Sequence, residues 1–473
     1  MKKIYLTTTL PYVNAEPHIG FALEIIQADV MARYYRENGN EVFFNTGTDE
    51  HGLKVFRRAK EKGVSPQVYC DKLAERYKEL KQTLNLSYDS FIRTTDENHI
   101  RSAQEFWTTC YNNGDIYKKN YKIKYCVGCE LEKTDSELVN GRCSTHPNQE
   151  IEIIEEENYF FRYSKYQKKL LDFYKRNPNF VVPEARFKEI KEFTKRGLED
   201  FSISRLKEKM SWGVPVPNDD KHVMFVWFEA LVSYVSALGW PNSKKFNDFW
   251  PGFQIAGKDN LRQQSSMWQA MLMSAGLLPS KQIFIHGFIT IGSQKMSKSL
   301  GNVIDPFELV NKYGTDSVRY YLLREIPPTE DGDFTYEKFK TRYNSDLAGG
   351  IGNLVARVLG VAGKTIVKKS KPTKATSERI KEAKKNYALA LEKFKFNEAL
   401  AVVQELISYC DKYINDEKLW ETKKPEVIGD LFYALDEIST LLLPFLPETA
   451  EKIKKAVATQ GVPRKLESLF PRV

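Results

Sequence analysis

Hydrophobic and polar positions follow two different periods in the first fifty residues. Residues 4–10 form a short run rich in β-branched side chains, which predicts a strand, and Pro11 and Pro17 mark a loop after it. Over residues 20–38 the apolar positions Ala22, Leu23, Ile26 and Val30 recur at helical spacing, and Gly39 is the expected stop. Residues 41–46 read as the next strand. Strand, glycine-bearing turn, helix and strand make a βαβ unit, which predicts a parallel sheet with ligands at its strand ends.

The texture changes over residues 115–222, a stretch with clustered cysteines, several tyrosines and charged, strand-rich portions. It reads as an insertion. Alternation of strand and helix is expected to resume at residues 223–227, 254–256 and 283–285, so the sheet is expected to be split in sequence. Beyond Gly301 the pattern turns helical, with helices expected over 346–362, 377–393, 397–414 and 427–442, joined by short loops as in a bundle. The expected organisation is a Rossmann-type first half over 1–114, a connective insertion over 115–222, a second half over 223–293, a loop and stem-contact segment over 294–345, and a helical domain over 346–473. Residues 364–374 are lysine-rich and read as a solvated connector.

A chain of 473 residues has room for several domains and a sizeable core. Its formal charge of +9 is compatible with a polyanionic partner without requiring one; residues 346–473 hold 22 basic against 17 acidic residues, +5 of that total. No apolar run reaches the roughly 18–20 residues of a membrane span, and the amino terminus does not have the pattern of a secretion signal. The expected location is the cytoplasm. There, three clustered cysteines favour a metal over disulfides. Cys126-Val127-Gly128-Cys129 and Cys143-Ser144-Thr145-His146 are two paired-ligand turns separated by 13 residues. Cys126, Cys129, Cys143 and His146 thus predict a closed, structural Zn2+ site.

Two further segments carry candidate chemistry. Pro17-His18-Ile19-Gly20-Phe21 lies between the first strand and the first helix. A helix start there would offer unpaired N–H groups to a phosphate, Gly20 would allow close approach, and His18 could donate to a phosphate oxygen. Lys295-Met296-Ser297-Lys298-Ser299 places two lysines around a hydroxyl on a loop able to neutralise departing pyrophosphate. A histidine in a turn and a solvated basic loop are the plain readings of each alone; the pair in this context matches the signatures of class I aminoacyl-tRNA synthetases.

The resemblance narrows at Leu10-Pro11-Tyr12-Val13-Asn14, Gly47-Thr48-Asp49-Glu50-His51-Gly52, Val226-Trp227-Phe228-Glu229-Ala230, Gly257-Lys258-Asp259 and His286-Gly287-Phe288. In content and order these resemble the methionyl-tRNA synthetase family, bacterial type, over essentially the whole chain. The resemblance implies a Rossmann-type parallel sheet split by a zinc-knuckle insertion and followed by a helical anticodon-binding domain. It implies methionine binding by Leu10, Tyr12, Asp49, Trp227, Ala230, Tyr234 and Gln264, with Asp49 taking the substrate ammonium. It implies ATP binding, with Mg2+, by His18, Gly20, Phe21, Gly257, Asp259, His286, Lys295, Met296, Ser297 and Lys298; of these His18, Lys295 and Lys298 carry the catalytic charge. Asn353, Arg357 and Trp420 match the family's anticodon-reading positions, although Trp420 alone would read as a core residue.

Four positions depart from the family pattern. Phe21 replaces a usual second histidine, Asn260 an isoleucine, Gln264 a pocket histidine, and Gly349 an asparagine. The expected activity is ATP-dependent activation of L-methionine and transfer to the terminal 2′-hydroxyl of tRNA(Met), initiator tRNA included, by a monomer. The alternatives are a catalytically silent tRNA-binding paralogue and a class I ligase for another small apolar amino acid.

Overall fold

The first strand, Lys3–Thr8, is buried from Ile4 onward and sits in the middle of a six-stranded sheet. The structure is a computed structural model and describes residues 1–133, 135–292, 294–296, 302–363, 372–458 and 467–473. The strand order is Ser90–Arg93, Glu41–Thr48, Lys3–Thr8, Phe253–Gly257, Gln282–His286, Val181–Val182. Lys3–Thr8 pairs in parallel with Glu41–Thr48 on one side (Tyr5 opposite Phe43) and with Phe253–Gly257 on the other (Thr7 opposite Gln254). The order reverses at Lys3–Thr8, where doubly wound sheets place their ligands. The sheet is split in sequence, as the pattern predicts.

Between the halves stands an antiparallel sheet in the order Phe201–Ser202, Glu152–Phe161, Ile116–Cys126, Leu131–Lys133. Its long pair runs from Ile116 opposite Phe161 to Tyr125 opposite Glu152. One expected strand is corrected. Residues 223–227 do not join the parallel sheet: Asp219–Met224 pairs antiparallel with Ser204–Leu206 and Pro215–Val216, and Val226–Ala230 is a helical turn. The apolar side chains that follow serve burial, with Phe228 and Leu231 in a core with Phe106, Trp107 and Trp268.

The chain forms two compact units. The first comprises Met1–Pro17, Gly39–Glu79 and Tyr88–Ile285; the second comprises His18–Asn38, Leu80–Ser87 and His286–Val473. Helix Ile19–Glu37 belongs to the second. It is buried on every face as far as Ala32, including Glu24, Gln27 and Asp29, so its apolar stripe understates how enclosed it is. The bundle helices are Asn353–Ala362, Lys374–Leu391, Phe396–Asp416 and Pro425–Leu442, close to the predicted spans, with an unpredicted fifth, Pro447–Val457. Pro425 and Pro447 occupy first-turn positions, where the missing N–H costs nothing. At the centre of this unit lies Arg319, fully buried. Its guanidinium donates to the carbonyls of Leu84, Pro444 and Phe445 and to Asp29 Oδ2, at 2.8–3.0 Å. Most of the predicted connector, residues 364–371, lies outside the described residues.

Candidate functional site

Residues that follow two adjacent strands of the first unit meet at their ends. Tyr12 and Asp49 form an isolated parallel bridge: the Val13 N–H donates to the Asp49 carbonyl (3.1 Å) and the Asp49 N–H to that of Pro11 (3.0 Å). Gly47 permits the neighbouring strand to close up, since a Cβ there would stand 1.8 Å from the Ile92 carbonyl oxygen. Trp227, on the short helix Val226–Ala230, meets the Tyr12 ring edge to face at 6.1 Å, and both pack on a cluster of Tyr125, Phe225 and Ala230. Three polar atoms here are buried without a hydrogen-bond partner: Asp49 Oδ1, Tyr12 Oη and Trp227 Nε1. Burial, and then the charges of Glu229 and Glu130, push the Asp49 carboxyl well above the ordinary carboxylate range. Orphaned buried polar atoms are costly. An ammonium ion beside Asp49 would relieve that cost, and the aromatic faces suit a thioether.

Tyr234 and Gln264 belong to the same unit. The Gln264 amide donates to Tyr234 Oη (2.7 Å) and accepts from Gln254 (3.3 Å); Gln254 in turn accepts from Ser280. Gln264 sits in a π-helical turn, Gln263–Met267, of the kind that often marks functional segments. Leu10 is half-buried after the first strand, Gly257 is buried at the end of Phe253–Gly257, and Asp259 is exposed beside Asn260.

In the second unit His18 caps helix Ile19–Glu37, its Nδ1 accepting from the Gly20 N–H at 3.0 Å. A neutral imidazole accepting at Nδ1 carries its hydrogen on Nε2, so the cap selects the donor tautomer. The expected unpaired N–H groups are not found. Ile19 N–H donates to the Ile304 carbonyl, Gly20 N–H to His18 Nδ1, and Phe21 and Ala22 N–H to the His18 carbonyl. Gly20 instead serves close approach: a Cβ there would lie 2.9 Å from the His18 ring and 3.3 Å from Met296 Cε. The two predicted motif segments therefore converge. Lys295 ends a short strand pair with Thr290 opposite it, whereas Ser297 and Lys298 lie outside the described residues. His286 Nε2 meets Glu24 Oε2 at 2.9 Å, and Phe21 is buried.

Cys126, Cys129, Cys143 and His146 bring their ligand atoms within 4.8 Å of one another. Cys129 Sγ is 3.5 Å from Cys143 Sγ and 3.2 Å from His146 Nδ1. Tetrahedral bonds of about 2.0–2.3 Å separate ligand atoms by roughly 3.3–3.8 Å, so the four fit a metal ion. The turn also grips the segment beside Tyr12. Gly128 O accepts from Lys54 Nζ (3.0 Å), Glu130 accepts from the Lys54 N–H (2.7 Å), and Lys54 lies 5.3 Å above the Tyr12 ring. Metal removal by chelator should therefore speed amide exchange between Cys126 and His146 on the order of 10²-fold. Exchange in helix Phe396–Asp416 should stay unchanged, which mass-spectrometric hydrogen exchange will read directly.

At the helical end Asn353 is exposed, Arg357 bonds Asp411 and Asn415 at 2.6 Å each, and Trp420 is 50% exposed. Trp420 is thus not the core residue its composition alone would predict. Sequence reasoning missed the partners behind Asp49. His51 and Glu229 stood inside quoted motifs without an assigned task, and no signal marked His99 or Glu130.

The family described as tRNA synthetases class I (M) matches residues 4–152 and 129–359, and that described as anticodon-binding domain of tRNA ligase matches residues 374–470. With the split parallel sheet, the paired motif segments and the helical end, these define a class I aminoacyl-tRNA synthetase. The methionine–tRNA ligase of Thermotoga maritima is 42% identical over 98% of this chain and 76% of its own length; that of Brucella suis is 39% identical over 99% and 94%. The methionyl-tRNA synthetase of Mycobacterium tuberculosis in complex with methionyl-adenylate superposes with a TM-score of 0.94 at 35% identity, covering both chains completely. The chain belongs to the methionyl-tRNA synthetase family, the methionine–tRNA ligases.

Proposed function

We propose that Asp49 binds the ammonium group of methionine, with the side chain of the substrate held by Leu10, Tyr12, Trp227, Ala230 and Tyr234. Gln264 fixes Tyr234. The observation that carries this reading is the buried Asp49 carboxylate with an unpartnered oxygen among aromatic rings. His18, Lys295 and Lys298 neutralise charge that builds on the phosphates of Mg2+–ATP, while Gly20, Phe21, Met296, Ser297, His286, Gly257 and Asp259 complete the nucleotide contacts. The methionine carboxylate attacks the α-phosphate, methionyl-adenylate forms and pyrophosphate leaves. The terminal 2′-hydroxyl of tRNA(Met), initiator or elongator, then attacks the activated carbonyl and AMP departs. Catalysis is positioning and charge stabilisation, without a covalent protein intermediate.

The metal ion fitting Cys126, Cys129, Cys143 and His146 is Zn2+, a structural ion with no open coordination position. Residues 115–222 act as the connective insertion, and Asn353, Arg357 and Trp420 read the anticodon, the exposed Trp420 ring being suited to stacking on an unpaired base. Among the described residues no helix is long and apolar enough to cross a membrane. We place the enzyme in the cytoplasm as a monomer. The test is methionine-dependent ATP–pyrophosphate exchange. Lys298→Ala should lower kcat on the order of 10²-fold while changing the KM for methionine by less than about threefold. An equal loss in both would remove Lys298 from the transition state.

A further inference from the structure

Behind Asp49 lies a set of buried ionisable groups that the two-step reaction does not use. Glu229 and His99 are fully buried and His51 is 4% exposed. Glu229 Oε1 meets His51 Nδ1 at 3.0 Å, and Glu229 Oε2 meets His99 Nε2 at 2.8 Å. His99 Nδ1 lies 2.9 Å from Ser236 Oγ, and the His51 ring is tilted against that of Trp212 at 5.4 Å. Ser236 Oγ also lies 3.4 Å from the Ser233 carbonyl, so its one hydrogen serves either that oxygen or His99 Nδ1. The other nitrogen of His99 faces a carboxylate, which accepts. Each imidazole therefore presents an N–H to Glu229, and Ser236 holds the far nitrogen of His99 in place.

Facing Asp49 are three carboxylates, Glu229, Glu130 and Glu50, together with the Cys70 thiol and the Tyr12 hydroxyl. Glu50 is neutralised by a bidentate pair with Arg93 at 2.7 and 2.8 Å. Glu130 accepts from the Lys54 N–H and from Tyr125, with the charges of Lys54 and Arg205 close by. Among the described residues Glu229 bonds its two imidazoles. Burial would raise the Glu229 carboxyl, but the two rings outweigh it and hold the group below its ordinary value.

We propose that the His51–Glu229–His99 relay is a positioning assembly that sets the net charge behind Asp49, and thereby the pH below which the enzyme no longer binds the ammonium group of its amino acid. This rests on the reading of Asp49 given above. Glu229 repels the Asp49 carboxylate and the imidazoles offset that repulsion. Burial first, and Glu229 next, hold the Asp49 carboxyl high, so affinity falls as pH drops through that raised value.

The experiment is titration of methionine against the full chain by intrinsic tryptophan fluorescence between pH 5 and 9, with pyrophosphate exchange in parallel. Glu229→Gln should move the acid limb of binding to lower pH on the order of one unit, and His99→Gln should move it upward by a similar amount. In both variants the pH dependence of KM should shift while kcat changes by less than about threefold. A merely structural role predicts weakened binding at every pH with the limb in place, and that result, or shifts in the same direction, overturns the proposal. His99→Gln keeps the test open should Glu229→Gln fail to fold. Asp49→Asn separates the two readings: if it binds methionine normally, the ammonium assignment is wrong. If it binds weakly and without an acid limb while the relay variants leave the wild-type limb unmoved, only the relay proposal falls.

Discussion

Asp49→Asn is expected to raise the KM for methionine in pyrophosphate exchange on the order of 10²-fold or more, with the KM for ATP nearly unchanged. Asparagine keeps the volume and the backbone bridge to Tyr12, so the aromatic cluster should persist. What is lost is the charge. An ammonium group brought into a site this enclosed no longer meets the unpartnered carboxylate oxygen of Asp49, and removing one member of a buried charge pair costs about 2–5 kcal/mol. The direction is worth stating because asparagine also removes the penalty that Asp49 carries when the site is empty. Asp49→Asn should therefore be at least as stable to urea as the parent, with only amino-acid binding impaired. A variant that loses stability and ATP affinity together would mean that Asp49 holds the fold rather than the substrate.

The second large effect is on stability. Arg319→Met should lower the urea-unfolding free energy of the second unit by about 3–5 kcal/mol, the cost of breaking a buried ionic network by deleting one partner. Methionine replaces much of the volume, but the carbonyls of Leu84, Pro444 and Phe445 lose their donor. Asp29 keeps Arg33 and Ser87, so part of the network survives. Burial alone would raise the Asp29 carboxyl, but Arg319 and Arg33 outweigh it and hold the group below its ordinary value. A carboxyl lowered in the folded state stabilises above its unfolded value, and that contribution is lost as pH falls through the folded one. The parent should thus lose stability on acidification more steeply than Arg319→Met. Parallel pH profiles for the two would show that Asp29 and Arg319 are not coupled.

How far each feature was legible in the sequence depended on how local its cause is. The strand–loop–helix run to Asn38 and the two cysteine turns are set by neighbours in the chain, and both were legible. Arg319 does not. It lies in a short helix and reads as a surface cation, yet its partners come from up to 290 positions away. His99 meets Glu229 across 130 positions. Residues 223–227 show the reverse failure, where composition typical of one strand of the parallel sheet is divided between an antiparallel strand and a helical turn. Trp420 misled in a third way, because a large aromatic side chain reads as core although this one stands half exposed.

The self-contained start of helix Ile19–Glu37 bears on how the enzyme waits between turnovers. Its leading amides are already satisfied by the chain, so that end of the helix offers little lure to orthophosphate or other small anions abundant in a cell. On the function proposed above, grip on a polyphosphate comes from side chains, His18 and the lysines among them. A helix start closed by its own chain thus gives bystander anions no ready-made perch.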